Sequence, residues 1–200
     1  MRRGLRLNYV TLGYNALEAA VALAAGLAAG SVALVGFGAD SVVEVAASVA
    51  AQWRLRSDAD AARRTRVERL THRVVGASLL ALAAGVTYEA VAALWRREAP
   101  ARSPLGVAIL VLSVVVMPLL ARAKRRVAGA LASGALAAEA TQTALCAYLS
   151  AIALVGVALN ALLGWWWADP VAALAMVPII AREGADGVRA RASCTQCGCA

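Results

Sequence analysis

SVALVGFGADSVVEVAASVAAQW, residues 31–53, is the stretch on which the reading of the chain turns. At 1.5 Å per residue, a helix over this run is long enough to cross a bilayer core of about 30 Å. It carries Asp40 and Glu44 near its midpoint, and no basic residue within it can neutralise them. At i and i+4 the two carboxylates share a helix face and point at the same small volume. An ionised acid at the centre of a membrane helix costs about 2.5–3.5 kcal/mol on insertion scales, so such residues usually mark an ion path or a proton relay. The competing reading is that both acids stay protonated and hydrogen-bond to neighbouring helices. Two acids one turn apart favour the functional reading over the structural one.

The 200 residues are 62% hydrophobic, well above the roughly half that soluble domains show. With a mean hydropathy of +0.70, this is the composition of an all-α, polytopic membrane protein. The net charge of +8 would suit a nucleic-acid binder, but the basic residues are confined to short segments between apolar runs, a pattern of topology. Six transmembrane helices are predicted, at about 7–29, 31–53, 74–95, 105–121, 133–163 and 168–181. They form one membrane domain, 1–182, followed by a Cys-rich cytoplasmic tail, 183–200. MRRGLR resembles the start of a signal peptide, but its apolar stretch runs on past Glu18 to Ala29, so it is read as a retained span.

All but Arg96, Arg97 and Arg102 of the 20 Lys and Arg residues fall on one side of this arrangement. The positive-inside rule then puts both termini in the cytoplasm of a multi-pass cell-membrane protein, the inner membrane if the source is bacterial. Trp95 and Trp165 to Trp167 fall at the outer interface and Trp53 at the inner one. Pro118 and Pro178 are expected to kink their helices. The segment 54–73 is read as a solvated cytoplasmic linker, with helix as an open option, touching anionic headgroups, and His72 beside its arginines is a poor metal ligand. Gly26 and Gly30 at GxxxG spacing suit a compact bundle or the contact of a homodimer.

An internal repeat aligns SVALVGFGADSVVEVAAS from Ser31 with SGALAAEATQTALCAYLS from Ser133. It equates Asp40 with Gln142, Ser41 with Thr143, Glu44 with Cys146 and Ser48 with Ser150. The two spans run in opposite senses, and transporters built from inverted halves place their binding site between them, near the bilayer midplane. Glu139, Gln142, Thr143 and Cys146 recur at i, i+3, i+4 and i+7 and share a face. Set against Asp40 and Glu44, that face offers hard oxygens and one soft sulfur, a donor set for a borderline divalent ion such as zinc. The other reading is a polar helix contact with Cys146 packed as a small hydrophobe.

Through Gly30-Ser31-x-Ala-Leu, Asp40-Ser-x-x-Glu44, the run ending at Glu139, and Asp169-Pro170, the chain resembles the cation diffusion facilitators over nearly its whole length. That resemblance implies six spans and efflux of divalent metal, usually zinc. It implies a site at Asp40, Glu44, Gln142 and Cys146, with Gln142 where the family has His and Cys146 where it has Asp. Glu139 matches an acid the family often has just before that His. The resemblance is to a short, divergent branch without the cytosolic carboxy-terminal domain.

Glu18 shares a face with Asn8 and Asn15 and offers a polar path toward the site, interhelical hydrogen bonding being the equal alternative. Glu89 lies near the outer end of its span. Cys194, Cys197 and Cys199 form an accessory metal-binding group or an incidental cluster of thiols. The expected function is efflux of a divalent cation, most simply zinc, by proton antiport and alternating access. A membrane-embedded metal sensor or buffer and a proton-coupled carrier of organic cations are the alternatives. No enzyme constellation and no tightly bound cofactor is expected; the partners are the bilayer, the metal ion and protons, and not nucleic acid.

Overall fold

Within hydrocarbon every backbone N–H and C=O must find a partner in the chain itself, which leaves helices or a closed barrel. In the computed structural model, which describes residues 2–57, 61–131 and 134–189, the solution is helical throughout. The described elements are α1 (Arg2–Ala29), α2 (Val32–Ser57), α3 (Ala61–Arg96), α4 (Pro104–Leu131), α5 (Gly134–Leu163) and α6 (Ala168–Val188). Four stretches among the described residues, Tyr9–Ala29, Arg73–Arg96, Pro104–Val127 and Ala140–Leu163, are long and apolar enough to cross a membrane. Their outward faces carry exposed Val10, Leu27, Val115, Leu119, Val155 and Leu162, as a surface solvated by lipid requires. Trp165 and Trp167 stack at 5.2 Å beside the α5–α6 turn.

Several helices continue beyond the apolar runs that announce them. The segment 54–73, expected as a solvated linker with helix as an option, is helical to Ser57 and again from Ala61, and α4 reaches Leu131. Arg, Ala and Leu dominate these extensions and are strong helix formers whether or not lipid surrounds them. α6 passes the expected end of the membrane domain and runs to Val188, because Gly184 seats it against α3. Pro118 and Pro178 lie inside continuous helices.

The most extensive pairings are α3 with α6, α4 with α5, and α1 with α2. α2 also meets α3, α5 and α6, so the helix with the paired acids is the one surrounded by others. Phe37 and Leu34 on α2, Leu149 on α5 and Met176 on α6 are fully buried around it. Small residues bring the backbones close. A Cβ on Gly26 would stand 2.8 Å from the Val35 backbone nitrogen, and one on Gly38 would stand 2.9 Å from the Leu23 nitrogen. Gly30 ends α1 at φ +66°, the left-handed conformation that glycine adopts without cost. Thus the Gly26–Gly30 pair serves the α1–α2 hairpin within one chain.

Asp169, buried at the start of α6, ties that helix to the start of α2. Ser31 Oγ donates to its Oδ1 at 2.5 Å, and the Val32 and Ala33 backbone N–H groups donate to Oδ2 at 2.8 and 3.4 Å. The carboxylate satisfies donors that the helix leaves orphaned and complements its dipole. Gly30-Ser31 and Asp169-Pro170 are therefore two halves of one contact, 138 residues apart.

Where α3 crosses α6, a Cβ on Gly76 would lie 2.6 Å from both the Gly184 carbonyl oxygen and the Val188 nitrogen. No rotamer change relieves a clash with backbone. Gly76→Ala should therefore cost about 1–3 kcal/mol and lower the melting temperature of the detergent-solubilised protein. Gly85→Ala, on the same helix with nothing within 4 Å of the added Cβ, should leave it unchanged or raise it. Equal melting temperatures for the two variants would contradict this crossing.

Candidate metal centre

The i, i+4 spacing of Asp40 and Glu44 directs both carboxylates from α2 into the bundle, where they are 1% and 6% exposed. α5 meets this face with Cys146, itself 1% exposed. One ligand atom from each of Asp40, Glu44 and Cys146 lies within 4.8 Å of the other two. The Cys146 thiol donates to Glu44 Oε2 at 2.9 Å, and Asn15 Nδ2 from α1 donates to the same oxygen at 3.2 Å. Asp40 Oδ1 and Asn15 Oδ1 are buried and have no hydrogen-bond partner among the described residues. Buried oxygens of this kind are costly unless something electropositive serves them, and a metal cation does so. Two carboxylates, a thiol and an adjacent amide form a mixed oxygen and sulfur donor set, which suits a borderline divalent ion.

Glu44 also faces a small polar cavity of about 20 Å³, lined by Thr11, Leu12, Asn15, Ser48, Lys124, Gln142 and Thr143 as well as by Glu44. Gln142 is half-buried there, so the structure sets it beside Glu44 from the α5 side. The Glu139 side chain lies outside the described residues, as do Cys194, Cys197 and Cys199.

Glu18 is fully buried in a second polar cluster that joins α1, α2 and α4. The Ser113 hydroxyl donates to its Oε1, the Ser41 hydroxyl donates to Oε2 at 3.4 Å, and the Tyr14 and Ser113 hydroxyls lie 3.1 Å apart. Ser41 follows Asp40 in the chain, so this cluster adjoins the metal-binding candidates. Of the two residues read as a polar path, Asn15 touches the centre directly, and Glu18 bonds to Ser41, the chain neighbour of Asp40.

Two groups near the centre escape the sequence reading. Glu183, half-buried on α6, is within electrostatic reach of Asp40 and Glu44. Lys124 on α4 is 4% exposed, and its Nζ donates to Thr143 Oγ1 at 3.2 Å. Both sit in charged runs beyond the apolar part of their helices, where a charge is ordinarily solvated. Helical spacing holds the missing signal. Met117, Ala121 and Lys124 follow one buried stripe at i, i+4 and i+7, as Met176, Ile180 and Glu183 do on α6.

Residues 9–191 match the family model described as the cation efflux transmembrane domain. No curated protein matches the chain.

Proposed function

Because the chain belongs to the cation efflux family, whose members are transporters of divalent metal cations and not enzymes, we propose that it exports zinc from the cytoplasm through the centre formed by Asp40, Glu44 and Cys146. The observation that carries this reading is the convergence of three buried ligand atoms from α2 and α5 within 4.8 Å. Zinc takes four ligands from such groups, and the Asn15 amide, Gln142 or water supplies the remainder. In this reading α2 and α6 also cross the cell membrane, and the arginine-rich helix ends and both termini face the cytoplasm.

Binding requires both carboxylates and the thiol to be deprotonated, so an arriving ion releases protons. Protons returning from the outer side compete for the same atoms and eject the metal. Exchange of metal for protons thus follows from the chemistry of the donor set, provided the site opens to one side at a time. Glu18, tied to Ser41 beside Asp40, is placed to hold a proton during that exchange.

Reconstituted vesicles loaded with a zinc-sensitive dye test the proposal. Zinc uptake through cytoplasm-outward protein should rise with an opposing proton gradient and fall to the level of empty vesicles in Asp40→Ala. Flux equal to wild type in Asp40→Ala would show that the ion takes another route.

A further inference from the structure

The basic cluster on α4 divides by orientation. Arg122, Arg125 and Arg126 are exposed, as residues that face headgroups and water are, whereas Lys124 is buried. Its position prolongs the buried stripe of Leu110, Ser113, Met117 and Ala121, so its stem runs into the bundle instead of snorkelling outward. The ammonium donates to Thr143, which lies on α5 three residues before Cys146.

Lys124, Thr143 and Glu44 line the same polar cavity of about 20 Å³, space for one water-sized or ion-sized occupant. Along α2, Ser48 of this cavity lies beyond Glu44 toward the arginine-bearing end, and along α5, Gln142 and Thr143 lie beyond Cys146 in the same direction. The cavity therefore stands between the three candidate ligands and the side from which the proposed cargo arrives.

We propose that Lys124 is a tethered cation that gates this approach: its ammonium holds the last polar position before Glu44, and an ion reaches the carboxylates by displacing it. A lysine suits the task, because its charge is compact and its four-carbon stem is flexible enough to swing aside. While it stays in place it occupies the cavity that Glu44 also lines and repels an arriving dication. The gate rests on the zinc-export reading above and adds to it a residue that sets apparent affinity from the cytoplasmic side. A purely structural lysine predicts no gain in affinity, since losing its bond to Thr143 would only loosen the α4–α5 contact beside the centre.

The test is zinc titration of the purified full chain by calorimetry, comparing wild type with Lys124→Met, which keeps the stem, and Lys124→Arg, which keeps the charge. The gate predicts an apparent dissociation constant roughly tenfold lower in Lys124→Met and within about twofold of wild type in Lys124→Arg. An equal or higher constant in Lys124→Met overturns it. Should Lys124→Met fail to fold, Thr143→Val decides: loss of the hydroxyl that holds the ammonium should tighten zinc binding, and an unchanged or weaker constant overturns the gate. If wild type itself binds no zinc, the export reading falls; if it binds zinc and the variants do not tighten, only the gate falls.

Discussion

Glu44→Gln is expected to weaken zinc binding by at least about 100-fold, equivalent to about 2.7 kcal/mol, and to abolish zinc flux in vesicles. Glu44 is where the donors converge, since its Oε2 accepts from both Cys146 and Asn15 and the residue also lines the polar cavity. Glutamine keeps the size and loses the charge, so the loss would report the anionic ligand and not the packing. The same variant should be no less stable than wild type in metal-free detergent solution. Burying a carboxylate costs several kcal/mol unless it is paired, and the amide avoids that cost. A large loss of affinity with no loss of melting temperature separates a ligand from a structural acid. A zinc affinity within threefold of wild type would contradict the assignment.

Cys146→Ser should change which ion is held more than whether one is held. Sulfur is the soft ligand of the set, and its replacement by a hydroxyl leaves hard oxygens from Asp40 and Glu44. Cadmium and zinc affinities are expected to fall at least tenfold further than manganese affinity, read by competition against a fluorescent chelator. Equal losses for all three metals would mean that the thiol only packs in the α2–α5 interface. The resemblance to cation diffusion facilitators implies an Asp at this position, and Cys146→Asp should then favour manganese over cadmium relative to wild type.

The acids of α2 are legible in the sequence because hydrocarbon makes a charge conspicuous: Asp40 and Glu44 interrupt a run in which no basic residue stands nearby. The repeat from Ser133 points to Cys146 because helix periodicity fixes which residues share a face. Asp169 is harder to interpret, since its role as a cap for α2 depends on a contact made 138 residues away. Lys124 and Glu183 are hidden for the opposite reason to Asp40. They stand among other charges beyond the apolar part of their helices, and only the direction of the helix face distinguishes the inward one from its neighbours. Gly26 fits a compact bundle or a dimer contact equally well in the sequence, and Val35 of the same chain, packed against it, favours the bundle. The extension of α4 to Leu131 is missed because a reading by hydropathy ends each span where apolar residues end, whereas helix propensity does not stop there.

X-ray absorption at the zinc edge, on the zinc-loaded chain carrying Cys194→Ser, Cys197→Ser and Cys199→Ser to silence the tail thiols, reads the ligands of the bound ion themselves. The account predicts one sulfur at about 2.3 Å together with oxygen or nitrogen ligands at about 2.0–2.2 Å, the sulfur disappearing in Cys146→Ser and the bound zinc itself in Asp40→Ala. A shell without sulfur, or zinc retained in full by Asp40→Ala, would place the ion elsewhere in the protein.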